Sequence, residues 1–232
     1  MKKILILAAA MLLTINVFAE VIPASDSRVV YVGRTQVVGA DVSFDWTATY
    51  FRIAFSGESL TMKASETKWD TDADNAATRH NYYNVWIDSP TSAEPHRIIE
   101  VAGNDTVIEL IDPMYLKKSR RAVHEVIVQK RTEGEQGKTT IHEFATNKKG
   151  KFFQAEPLKV RQLEFIGDSY TCGYGIDAKS RLERFSPETE NASRSYAGIV
   201  PRYFGADYVA IAPPGMGIAR NYNSKFPKWH MP

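Results

Sequence analysis

Cysteine is nearly absent. Cys172 is the one cysteine in 232 residues, so no disulfide can form within the chain. Placed three residues after a serine, its thiol reads as a buried structural group, because a reactive thiolate would need a neighbouring base. An excess of charge of either sign is also lacking. A formal net charge of +2 gives no electrostatic case for nucleic acid. Beyond Val17 no apolar run approaches the length of a bilayer span. Helical periodicity is missing from Val29 to Phe144. Histidine is sparse, at His80, His96, His124, His142 and His230.

The chain opens with Lys2 and Lys3, an apolar run over Ile4–Val17 and the small-residue site Val17-Phe18-Ala19. This is the pattern of a bacterial signal peptide, so a secreted or periplasmic protein is expected, with no membrane span after its removal. From Val29 onward, roughly eight short runs alternate apolar and polar residues. They include Val42-Phe44-Trp46, Phe51-Ile53-Phe55, Leu60-Met62 and Tyr83-Val85-Ile87. Ile98–Val101, Val107–Ile111, Val123–Val128 and Thr139–Phe144 follow. Such runs, broken by Gly, Asn, Asp and Pro, predict an all-β sandwich of jelly-roll type. Thr146–Pro157 is polar and then carries Gly150 and Pro157, which reads as a linker. After it, Gln162–Ile166 predicts a strand and Ser195–Phe204 a helix, with Tyr196, Ile199, Val200 and Tyr203 on one stripe. Pro201 weakens or kinks that helix, Gly205 stops it, and Ala206–Ala212 forms a second strand. The expected organisation is a signal peptide (1–19), a sandwich (20–147), a linker (148–157) and an incomplete α/β domain (158–232).

The chemistry sits in Leu163–Gly175, LEFIGDSYTCGYG. An apolar strand ends in Gly167-Asp168-Ser169, a sharp turn that presents Ser169 at a strand tip where a helix opens. The second strand runs straight into Pro213-Pro214-Gly215-Met216-Gly217. Parallel neighbours end on the same sheet edge, so the two loops should face one another across the ligand crevice. A serine nucleophile facing glycine N–H groups is the layout of acyl transfer: the Ser169 and Gly217 amides are the candidate oxyanion donors. Asp168, Gly215 and Asn221 are weaker candidates for substrate contacts. The competing reading is a βαβ unit whose glycines only make turns.

These pieces resemble carbohydrate esterase family 2, within the SGNH (GDSL-type) hydrolases. The resemblance rests on Tyr82-Tyr83-Asn84-Val85-Trp86-Ile87-Asp88, on Phe165–Gly175, on Thr189-Glu190-Asn191 with Ser195-Tyr196, and on Gly215-Met216-Gly217 with Arg220-Asn221-Tyr222. It implies a jelly roll joined to a flavodoxin-like esterase domain, and deacetylation of acetylated xylan or mannan. It also implies Ser169 as nucleophile, Gly217 as second oxyanion donor, and no metal or organic cofactor. Pro214 departs from the family pattern, which commonly has a serine before the first loop glycine, and it has no N–H to donate. Met216 stands where a polar residue is usual.

The family's later asparagine block and terminal histidine do not occur in this sequence. Four of the five histidines fall in the sandwich, and His230 stands next to the end of the chain given. The general-base histidine is therefore expected on further sequence, with this chain as the inactive N-terminal part of an esterase. A non-catalytic carbohydrate-binding or structural fragment is the alternative.

Weaker signals point to surface features. Asp70–Asn75 begins like a calcium loop but lacks the glycine and glutamate that such a loop needs. Lys117, Lys118, Arg120 and Arg121 read as a solvated turn. Asn104-Asp105-Thr106 and Asn191-Ala192-Ser193 match a glycosylation pattern that a bacterial chain leaves unused. Trp46, Trp69 and Trp86 are candidates for stacking on sugars, although Trp46 follows the buried alternation.

Overall fold

The computed structural model describes residues 19–68 and 80–223. The leader up to Phe18, Trp69, the Asp70–Asn75 loop and His230 lie outside the described residues. In chain order the strands are β1 (Ala19–Pro23), β2 (Val30–Val32), β3 (Gln36–Val38), β4 (Asp41–Phe44), β5 (Tyr50–Ser56), β6 (Leu60–Thr67) and β7 (Asn81–Ile87). Then come β8 (Arg97–Val101), β9 (Thr106–Glu109), helix α1 (Pro113–Lys118), β10 (His124–Lys130), β11 (Lys138–Lys148) and β12 (Lys151–Phe153). The last part holds β13 (Gln162–Ile166), α2 (Ser169–Cys172), α3 (Tyr196–Tyr203) and β14 (Asp207–Ile211).

Twelve of these strands form a sandwich of two antiparallel sheets. One runs β3-β4-β11-β6-β9 with β1 on β11, the other β12-β5-β10-β7-β8 with β2 on β5. Their facing side chains, among them Phe51, Ile53, Phe55, Met62, Tyr83, Val85, Val126, Ile141 and Phe144, close the main core. Alternation predicts these faces because side chains in a strand point up and down by turns.

The second sheet is covered on its other face as well. There Val32, Ala48 and Tyr50 meet Ala192, Tyr208 and Ala210, with Ile127, Leu163 and Phe165 packed around them. This is why β5 is buried at six successive positions rather than at every second one. A buried ion pair and hydrogen bonds cross the same junction: Arg52 pairs with Asp207, and Tyr50 Oη donates to Asp207 Oδ1 at 2.7 Å. Gln129 Nε2 donates to the Tyr208 hydroxyl at 3.0 Å. Burial alone raises the Asp207 carboxyl, but hydrogen bonds from Arg52, the Lys159 N–H and Tyr50 hold it below the usual range.

Several sequence expectations are corrected. The segment expected as a linker is partly sheet: β11 runs to Lys148, and Lys151–Phe153 pairs with Ser56–Ala54 on β5. A helix, α1, interrupts the β region, capped by the Asp112 carboxylate and started by Pro113. Lys117 and Lys118 form its last turn, where cations suit the helix dipole. Trp46 lies in a bend after β4 and is only half-buried. Trp86 is buried, with its indole N–H on the Ala93 carbonyl at 2.9 Å, so it offers no stacking face. On α3 the expected stripe points outward: Tyr196, Ile199 and Tyr203 are exposed, while Ala197, Gly198 and Pro201 are buried. Even a Cβ at Gly198 would strike the Ser193 and Ala192 carbonyls, so only glycine allows this close approach. Asn191 is 3% exposed and unavailable to any glycan.

Candidate active site

Strands β13 and β14 are parallel and in register from Gln162–Asp207 to Ile166–Ile211. The Gly167 N–H continues the ladder to the Ile211 carbonyl at 2.9 Å. Both chains therefore leave the sheet at one edge. The first turns at Gly167, where any Cβ would collide with Thr171. Asp168 caps α2 by accepting the Tyr170 N–H at 3.0 Å, and Ser169 is the first helical residue. The second chain forms a loop closed by Tyr222 N–H donating to the Gly215 carbonyl at 2.7 Å, with Gly215 at φ +77°. Gly217 admits no side chain because the Arg220 carbonyl fills the space.

Between the two loops lies a cleft of about 560 Å³. Asp168, Ser169, Gly215 and Gly217 all line it. Tyr174, Arg220 and Tyr222 complete its wall, and Tyr174 lies flat on Phe185, their ring centroids 3.5 Å apart. The sequence did not assign these three side chains to the site. Asn221 has a different place: its Oδ1 accepts the Gly217 N–H at 3.2 Å. The amide expected to face an oxyanion is thus occupied by a carboxamide oxygen, an acceptor of the same kind. Among the described residues the Ser169 hydroxyl has no hydrogen-bond partner. Cys172 is buried, donates to the Ser169 carbonyl at 3.4 Å, and has its thiol pushed up by burial.

None of the four described histidines lines the cleft. His80 pairs with Glu66, His96 packs on Tyr115, and His124 pairs with Asp88. His142 makes a serine–histidine–aspartate arrangement of its own, with Nε2 2.8 Å from Ser65 Oγ and Nδ1 3.0 Å from Asp41 Oδ1. Ser65 stands mid-strand, its Oγ also accepting the Asp105 N–H. The group ties β4, β6 and β11 together. Among the described residues no cluster of His, Cys, Asp or Glu is placed to hold a metal ion, and no helix is long and apolar enough to cross a membrane.

Behind the cleft is a buried polar layer. Arg131 is 2% exposed and donates to Asn84 Oδ1, Asp177 Oδ2 and the carbonyls of Glu188 and Glu190. Lys130 is fully buried, its Nζ on the Thr132 and Glu133 carbonyls at 2.9 Å, and burial lowers its pKa to about 8. Glu190 is fully buried, with the Cys172 thiol and the Glu133 backbone beside its carboxyl group. Burial, then the nearby Glu133, pushes it up to about 8. The sequence singled out Asn84 and Thr189-Glu190-Asn191 only as motif residues of the resemblance; Lys130 and Arg131 were not legible, because charged residues at a strand end read as a solvated face.

The carbohydrate esterase 2 N-terminal family model matches residues 31–156, more than half of the chain. The chain belongs to carbohydrate esterase family 2. It is 31% identical over 188 residues to an acetylxylan esterase / glucomannan deacetylase of Cellvibrio japonicus (strain Ueda107), covering 80% of this chain and 45% of that protein. It is 31% identical over 137 residues to the cellulase/esterase CelE of Acetivibrio thermocellus, covering 59% of this chain and 16% of that one. Among solved structures, a family two carbohydrate esterase from Cellvibrio japonicus superposes with TM-score 0.74 at 23% identity, over 89% of this chain and 56% of the other. A family two carbohydrate esterase from Clostridium thermocellum, in complex with cellohexaose, gives 0.72 at 25% identity, over 85% and 55%. The chain spans about half the length of these relatives' solved chains and less than half of the curated proteins.

Proposed function

We propose that this protein is a secreted serine esterase that removes acetyl groups from plant cell-wall polysaccharide such as acetylated xylan or mannan. The observation that carries the reading is the shared cleft: Ser169 from one strand end and Gly215–Gly217 from the next line the same space. The names of the relatives support the substrate class. The leader sequence supports export. The β13–α3–β14 arrangement supports a flavodoxin-like SGNH domain that begins here.

In this mechanism Ser169 Oγ attacks the acetyl carbonyl. Its proton passes to a base, and the oxyanion forms against the Ser169 and Gly217 N–H groups. Collapse expels the sugar hydroxyl, which takes up the proton, and water then releases acetate from the acyl-serine. The Gly217 N–H reaches the oxyanion by giving up Asn221 Oδ1, so its donor role replaces one acceptor by another. A serine without a neighbouring base is a weak nucleophile. With no described histidine at the cleft, the base in this proposal comes from outside the described residues, and the described residues alone do not turn over substrate.

The test is acetate release from acetylated xylan and mannan by the full-length protein and its Ser169→Ala variant. Loss on the order of a million-fold is expected; full activity in the variant overturns the nucleophile. A second reading, non-catalytic carbohydrate binding, draws on the unpartnered Ser169 hydroxyl and the occupied Gly217 amide. Glycan binding without acetate release by the full-length protein is the outcome that would select it.

A further inference from the structure

We propose that Arg131 is the positioning residue of the nucleophile: rooted in the sandwich, its guanidinium seats the chain 188–191, and that chain seats the helix that Ser169 opens. The inference rests on the reading of Ser169 as nucleophile and adds the part of the molecule that aims it.

Arg131 follows directly on β10, with its N–H on the Tyr82 carbonyl at 2.8 Å, so its backbone is fixed by the sandwich. Three of its four side-chain acceptors lie outside the sandwich and close together in the chain: Asp177 Oδ2 (2.7 Å), the Glu188 carbonyl (2.9 Å) and the Glu190 carbonyl (3.1 Å). The fourth, Asn84 Oδ1, belongs to a side chain that itself donates to Asn191 Oδ1 at 3.0 Å. Four of the five N–H donors of the fork thus converge on the 188–191 stretch and on the Asp177 and Asn84 side chains that bond to Asn191.

That stretch grips α2 from its C-terminal end. Asn191 N–H donates to the Gly173 carbonyl at 3.1 Å, and Asp177 N–H to the Thr189 carbonyl at 3.0 Å. The Asn191 carbonyl lies so close that no side chain fits at Gly173. Just beyond, Ser195 Oγ donates to the Thr171 carbonyl at 2.7 Å. Since α2 is only four residues long, fixing Thr171 and Gly173 fixes Ser169. A short helix carries no rigidity of its own, and its place is set by what holds its ends. A misplacement of about 1 Å at a reacting atom costs on the order of a hundredfold in rate.

The experiment compares the full-length protein with its Arg131→Lys and Asp177→Asn variants. Lysine keeps the charge but has no fork, so it cannot serve four acceptors in one plane. Two readouts are taken. The first is the rate at which a small thiol reagent labels Cys172, the buried thiol of α2, in native buffer. The second is kcat and KM for p-nitrophenyl acetate. In Arg131→Lys, labelling is expected to rise at least tenfold more than the global unfolding constant measured in urea, with kcat down at least tenfold and KM within twofold. Asp177→Asn is expected to move both readouts the same way by less, and it answers the question if Arg131→Lys does not fold. A lower midpoint of unfolding, with kcat unchanged and labelling following global unfolding alone, overturns the proposal. Full turnover in Ser169→Ala sinks the nucleophile assignment by itself, because Cys172 labelling reports the seat of α2 without any catalysis.

Discussion

At the scale of single residues, the site depends on positions where a Cβ has no room. Gly173 ends α2 at φ +73° with the Asn191 carbonyl in the way. Alanine there meets both backbone strain and a clash, and is expected to lower unfolding stability by about 1–3 kcal/mol or more, as measured by urea titration. Glu190 yields a pH prediction. Its folded pKa is raised from 4.5 to about 8, so between those values the folded state keeps a proton that the unfolded chain releases. Its contribution to stability is full below pH 4.5 and falls as pH rises toward about 8. Lys130, lowered from 10.5 to about 8, contributes a rise of the opposite sign above about pH 8. Glu190→Gln keeps the shape of the neutral acid. The variant should match the parent near pH 5 and exceed it at pH 8 in thermal midpoint. A parallel decline in both proteins would show that Glu190 is not the titrating group.

At the scale of elements, the legible parts are those where local chemistry decides. The boundaries of β13 over Gln162–Ile166 follow from an apolar run stopped by Gly167. The alternation of Phe51, Ile53 and Phe55 marks the core face of β5 correctly. What stays hidden is the opposite face. Arg52 alternates with those residues and reads as solvated, yet it is 3% exposed because β14 brings Asp207 to it. The same holds for Asn84, Gln129 and Arg131, whose partners lie far along the chain; Lys130 is buried on the carbonyls of Thr132 and Glu133 close by. For α3, spacing finds the helix but not its orientation. Period alone marks a large apolar stripe, whereas close packing selects the side that carries Ala197, Gly198 and Pro201. In the cleft, the serine and glycines stand out because their spacing is tied to a turn. Tyr174 and Tyr222 do not, since nothing local distinguishes a wall residue from any exposed tyrosine.

At the scale of the whole molecule, the sandwich and the β13–β14 unit share one interface. It contains an apolar cluster, a buried ion pair and the Arg131 fork. Breaking a buried pair from one side leaves a charge without compensation, a loss of about 3–5 kcal/mol. Arg52→Met is expected to cost that much in urea unfolding. Far-UV circular dichroism, dominated by the twelve-strand sandwich, and Cys172 labelling, which reports α2, should give one shared transition in the parent. Two separated transitions would mean that the units are stable independently.

The three residues Lys151–Phe153 bear on how such a protein can be cut and rejoined. A gene fusion made at Gly150, where composition invites a splice, would strip Ala54–Ser56 of β5 of their neighbour, with β2 still on Tyr50–Arg52, and leave those backbone donors and acceptors open to other chains. A sandwich moved alone onto another enzyme would carry that open edge with it, and would precipitate or form dimers through it. A splice beyond Ala155 keeps β12 on β5 and the Ala155 N–H on the Arg28 carbonyl, and leaves Arg52 without Asp207 as the remaining cost.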